Sequence, residues 1–206
     1  MQGSTNRLGQ KLAVTVTMAL AFFASAVVVF ALATSIGELV GAAAAPASWR
    51  YLAAAGLLCL LAAIDVLSLR RARYCLVGLI RQTPRSVMFR YNFLVAAAVW
   101  GFDTGLAVTT IRVAGLTWAA LLLAVFGLAP WWTGLAYAAG FAIPLVGLIC
   151  LHPAGRAAVA AGPVDPGLGR LLNLREPIQV ASVVLLTAVA LCLAAQSLLG
   201  DAMARL

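Results

Sequence analysis

The chain has little of what side-chain catalysis requires. It has one histidine, His152, and only six acidic residues among 206. Its four cysteines, Cys59, Cys75, Cys150 and Cys192, form no C-x-x-C pair, and none stands at a zinc-like spacing from the histidine. A metal site built within this chain is therefore not expected, nor is a cofactor. No Ser–His–Asp set, H-E-x-x-H pair or P-loop pattern occurs, so the chain reads as a non-enzyme. Segments of alternating hydrophobicity are missing too, which excludes a transmembrane β-barrel. Aromatic residues are not interleaved with the basic ones as a nucleic-acid stacking surface needs, so the net charge of +8 does not point to nucleic acid.

What the chain has in excess is apolar sequence. It is 64% hydrophobic, against about 45–50% in soluble domains. Apolar runs of 20 or more residues define an all-α, polytopic integral membrane protein. About five spans are legible, near residues 12–34, 49–69, 92–128, 131–151 and 178–199, forming a single transmembrane domain over 1–206. The apolar run of the first is too long for a cleaved signal peptide. The third is overlong and is expected to break near Val108–Arg112, where Thr109 and Thr110 lower helix propensity and can bond back to carbonyls. Dividing that stretch into two full spans would weaken the charge asymmetry of the loops.

With five spans, Arg7 and Lys11, the six arginines of the loop 70–91, and Arg156, Arg170 and Arg175 of the loop 152–177 all fall on one side. Arg50 and Arg205 fall on the other. The positive-inside rule then puts the N-terminus in the cytoplasm and the C-terminus outside. Trp49, Trp118, Trp131 and Trp132 suit an outer aromatic belt. The loop arginines Arg70, Arg71, Arg73, Arg81, Arg85 and Arg90 would attract anionic lipid headgroups, at about 1 kcal/mol each, or dock a partner.

Charges at bilayer depth cost roughly 2.5–3.5 kcal/mol each on insertion scales, which singles out Asp103 and Arg112. Asp103 lies about 16 Å along the third span, and Arg112 about 13 Å further. With Thr109 and Thr110 they form the candidate substrate or ion site; a buried ion pair locking helices is the structural alternative. Asp65 reads as an interfacial partner of Arg70 and Arg71, with a proton relay as the sharper option. Gly134, Ala138 and Ala142 make a small-residue face for close packing, Pro144 bends its helix, and Gln196 reads as an interhelical hydrogen bond.

The run Trp100-Gly101-Phe102-Asp103-Thr104-Gly105, then Gly127, then Ala136-Tyr137-Ala138-Ala139-Gly140-Phe141-Ala142-Ile143-Pro144, resembles the second half of the CcdA/DsbD transmembrane family. That family passes reducing equivalents across the bacterial inner membrane through paired cysteines in broken helices. The resemblance covers about four-fifths of the chain and rests on glycine and proline spacings. Removing the family's first helix leaves five spans with the N-terminus inside, the topology that the arginines give independently. The reactive cysteines do not match: Thr109 falls at the cysteine, with Val108 and Arg112 at the flanking prolines. A threonine hydroxyl exchanges no thiols. The resemblance therefore implies a fold, a bacterial cytoplasmic membrane and a cavity position, without the redox chemistry.

Three functions follow as expectations. The first is a small permease or transport component with its site at the broken third span, working as a homo-oligomer or with a membrane partner subunit. The second is an accessory or scaffold subunit of a larger membrane complex. The third is thiol–disulfide electron transfer through displaced cysteines.

Overall fold

Residues 2–43, 48–71, 91–106, 114–151 and 174–203 are described in a computed structural model, and among them every regular element is helical. The helices are α1 (Gln2–Ala43), α2 (Ser48–Arg70), α3 (Phe93–Gly105), α4 (Leu116–Val125), α5 (Thr133–Leu151) and α6 (Arg175–Met203). Three contain segments long and apolar enough to cross a membrane: Gly9–Gly41, Ser48–Arg70 and Arg175–Leu199. The described residues make an all-helical structure with three helices suited to a membrane.

The expected spans 12–34, 49–69 and 178–199 lie inside those three helices, and 131–151 corresponds to α5, which carries Pro144 within it. The expected third span, 92–128, contains α3 and α4. The expected break at 108–112 lies outside the described residues, as do Arg73, Arg81, Arg85 and Arg90. Arg70 ends α2 and is exposed, with Arg71 exposed after it.

Burial on α1 is the reverse of a soluble helix. Its enclosed face is Thr15, Met18, Phe22, Ser25, Ala26, Phe30, Ala33 and Gly37, spaced three or four apart on one stripe. Its open faces carry Leu12, Leu20, Val28, Leu32 and Leu39, each more than half exposed. Soluble proteins do not present apolar ridges of this length, whereas lipid is their natural solvent. The buried hydroxyls are satisfied within the helix: Thr15 Oγ1 donates to the Lys11 carbonyl at 2.9 Å and Ser25 Oγ to the Phe22 carbonyl at 3.0 Å.

The chain divides into two compact units, one of Met1–Val29, Ile80–Thr110 and Gly134–Arg170, the other of Phe30–Leu79, Ile111–Thr133 and Leu171–Leu206. In the first, Gly101 and Gly105 lie one turn apart on α3. A Cβ on Gly101 would strike the Met18 carbonyl, and one on Gly105 the Phe22 carbonyl and Ser25 Oγ, so α3 rests on the α1 backbone through hydrogen alone. The expected small-residue face of α5 is present: Ala138 and Ala142 pack on Phe22 and Ala26, and Phe141 stacks on Phe22 with ring centroids 4.4 Å apart.

The second unit is organised by α2 and α6, which run antiparallel. Ser197 Oγ donates to the Ser48 carbonyl at 3.3 Å at one end, and Ser182 meets Asp65 toward the other. Between these contacts Ala54, Leu58, Leu61, Leu186, Ala190 and Leu193 form the core, joined by Ala119 of α4. Gln196, expected to bond across helices, is exposed; its neighbour Ser197 makes the contact instead. Past the end of α4, Gly127 adopts φ +65°, and its backbone closes on Gly37 of α1. Arg50 Nη1 reaches the Phe126 carbonyl at 3.5 Å, placing a cation at the carbonyl end of α4. Of the expected belt, Trp49, Trp131 and Trp132 are exposed, while Trp118 is half-buried against the α2–α6 core.

Gly101→Val should destabilise the detergent-solubilised protein by about 1–3 kcal/mol, because overpacking here meets backbone, which cannot rotate away. Gly56→Ala, at a position where a Cβ has nothing within 4 Å, should cost nothing. Thermal unfolding of the two variants side by side checks the contrast.

Candidate functional site: a carboxylate enclosed by three helices

Asp65 is fully buried, at 0% exposure. It stands on the face of α2 that meets α6, five residues before Arg70, or about 7.5 Å of helix rise. It is not the interfacial partner of Arg70 and Arg71 that its position suggests. Its carboxylate accepts the Gly115 N–H with both oxygens, Oδ2 at 2.9 Å and Oδ1 at 3.1 Å, and the Ser182 hydroxyl with Oδ2 at 2.6 Å.

Each partner follows from local structure. Gly115 is the N-cap of α4 and has no side chain to cap the helix with. The opening N–H groups of a helix lack intrahelical acceptors, and the aligned peptides add roughly half a positive charge there. Asp65 supplies the missing acceptor from another helix. A Cβ on Gly115 would lie 3.3 Å from Asp65 Oδ2 and 3.5 Å from Leu61 Cβ, so the glycine gives the carboxylate room to approach. Ser182 comes from α6 and fixes the third side.

The polar group is wider than these three residues. Ser68, one turn further along the same face of α2, is also at 0% exposure, and its Oγ has no hydrogen-bond partner. Gln179, one turn before Ser182 on α6, is likewise at 0%. Two antiparallel helices thus each contribute a pair of buried polar residues at i, i+3 spacing. The described segments around Asp65 carry no charge at this level: α4 has none, and the nearest on α2 and α6 are Arg70, Arg71, Arg175 and Glu176 toward the helix ends.

The site expected at Asp103, Thr109, Thr110 and Arg112 is described only at Asp103. That residue is half-buried on α3, about 160–200° around the helix from the Gly101–Gly105 face. Thr109, Thr110 and Arg112 lie outside the described residues. Cys59 and Cys192 are free and exposed on α2 and α6. Among the described residues no group of three or more His, Cys, Asp or Glu could hold a metal ion. The signal for the Asp65 site was available: Asp65–Ser68 and Gln179–Ser182 are matched polar pairs in otherwise apolar spans.

No protein-family model, curated protein or solved structure matches the chain.

Asp65→Leu removes the acceptor of two buried donors, whereas Asp65→Asn keeps an acceptor oxygen for the Gly115 N–H. Ser182→Ala removes one hydrogen bond to a carboxylate, worth about 1–2 kcal/mol in a membrane protein. Thermal unfolding followed by tryptophan fluorescence should therefore rank Asp65→Leu as the most destabilised, with Asp65→Asn and Ser182→Ala milder.

Proposed function

We propose that this protein is a small multi-pass membrane permease, or the membrane component of one, whose polar site is built around Asp65 where α4 begins. One observation carries the reading: a carboxylate wholly enclosed by apolar helices is held, among the described residues, by neutral donors. Ionisable groups at such depth are costly and mark ion or solute paths. The start of a helix inside the apolar layer offers backbone groups to a polar ligand, which a continuous span does not. In sequence, Thr109, Thr110 and Arg112 immediately precede Gly115, so the stretch expected to form the site runs into Asp65's own partner.

The proposal retains five spans, with α3 and α4 as the two parts of a broken third one, in a CcdA/DsbD-like arrangement without the redox cysteines. The N-terminus lies in the cytoplasm and the C-terminus outside a bacterial inner membrane. The arginines of the loop 70–91 rest on anionic headgroups. So few helices enclose little volume, so a second copy or a partner subunit completes the pathway.

A transport site has to be reached by water from at least one side, whereas a polar knot that only ties a scaffold subunit together stays sealed. The test is Ser68→Cys in a chain with Cys59, Cys75, Cys150 and Cys192 replaced. A charged, membrane-impermeant thiol reagent should label it from one side of the membrane, as it labels an Arg71→Cys control at the exposed helix end. A Ser68→Cys protein that assembles and stays unlabelled from both sides would assign the chain to the scaffold class instead.

A further inference from the structure

Among the described residues the carboxylate of Asp65 is hydrogen-bonded but meets no cation. Gly115 and Ser182 donate to it as neutral groups, and the end of α4 contributes about half of one positive charge. The carboxylate also has coordination capacity left. It offers roughly four lone-pair positions. Among the described residues two donors make three contacts, two at Oδ2 and one at Oδ1, which leaves a position at Oδ1.

The second observation is independent of the first. Ser68 Oγ is fully buried without a hydrogen-bond partner, on the same face of α2 and one turn from Asp65. An unpartnered hydroxyl enclosed in an apolar helix pair is costly and rare, and calls for a ligand. A spare carboxylate oxygen and a spare hydroxyl oxygen one turn apart on α2, with the Ser182 hydroxyl bonded to Asp65 Oδ2, make a donor set of oxygens alone. Hard cations take such sets. The charge selects the valence: one positive charge cancels one carboxylate, whereas a divalent ion would leave the enclosed site cationic.

We infer that Asp65, Ser68 and Ser182, at the start of α4, form a binding site for one alkali-metal cation, of which Na+ is the representative. The site deepens the transport reading by naming the ion that would couple to it. The ion bridges Asp65 Oδ1 and Ser68 Oγ, with Ser182 as the third oxygen, and ties α2 to α6 beside the first turn of α4. Occupancy therefore stabilises the contact between α2, α4 and α6.

The experiment is equilibrium binding of radioactive Na+ to the purified full-length protein in detergent, with choline chloride holding the ionic strength. Melting temperature is read in the same buffers. Saturable binding of about one ion per chain is expected, with a melting temperature that rises with Na+ and not with choline. Asp65→Asn should abolish both effects. Ser68→Ala should weaken binding by roughly tenfold or more, the factor for losing one oxygen bonded to a charge. If Asp65→Asn does not fold, Ser68→Ala decides alone, since it keeps the carboxylate and all three of its hydrogen bonds. Absence of saturable binding in the wild type, or binding that Ser68→Ala leaves unchanged, overturns the inference. Its failure is separable from that of the transport reading. Labelling of Ser68→Cys without Na+ binding keeps a permease and removes the cation site, whereas Na+ binding with Ser68→Cys sealed from both sides keeps the cation site and removes the permease.

Discussion

A helix that begins among apolar neighbours carries N–H groups that nothing nearby in sequence can accept, and lipid offers no water to take them. In α4 this demand falls on Gly115, which has no side chain of its own to answer it. Asp65 answers it from α2, and Ser182 of α6 bonds the same carboxylate. Three helices from distant parts of the chain are thereby tied at one atom group. The contact also fixes register. Between this contact and the Ser197–Ser48 bond the faces of α2 and α6 are Ala and Leu, which pack acceptably at several offsets. A one-residue slip of α6 would set Asp65 against Ala181 or Val183 and remove its Ser182 donor, leaving the Gly115 N–H alone.

The other unit solves the packing problem without charge. Where α3 meets α1, Gly101 and Gly105 contribute no side chain, and α3 backbone lies on the Met18 and Phe22 carbonyls and Ser25 Oγ. Where α5 meets α1, Ala138 and Ala142 do nearly the same and leave room for the Phe22–Phe141 stack. Lipid tails are as apolar as leucine, so burying large side chains brings little gain and close approach brings dispersion. In this unit α1 encloses Thr15, Ser25 and Ala26 beside Met18 and Phe22, and leaves Leu20 outside. The glycines of the Trp100–Gly105 run have a physical role here that needs no reactive cysteine nearby.

The membrane class and the helices α1, α2, α5 and α6 were legible because hydropathy is a local property, summed over a window. So was the small face of α5, whose spacing of four residues is visible in the sequence. Asp65 was misread for a corresponding reason. Within its own window it has Arg70 and Arg71 as neighbours, and an end-of-helix ion pair is the natural reading. Its actual partners are 50 and 117 positions away, and no window reaches them. Pairing the two polar i, i+3 sets of α2 and α6 would have required knowing that these helices are antiparallel neighbours. Asp103 presents the converse: its depth along an apolar stretch was readable, but depth alone does not say which face it takes. On α3 the closely packed face belongs to Gly101 and Gly105, and Asp103 turns away from it.

The donors around Asp65 set the carboxylate's position without matching its charge. The chain is rich in arginine, and an arginine at Asp65 would have satisfied geometry and charge together through a bidentate pair. Among the described residues none takes that place; a glycine N–H and a serine hydroxyl do. Neutral donors position a carboxylate as firmly as a cation does but leave its charge to be balanced by something else. Ser68, buried without a partner one turn away, is the oxygen through which that something would be held. A site that only locked helices would gain from the arginine, and would have no use for a second, unsatisfied hydroxyl beside it.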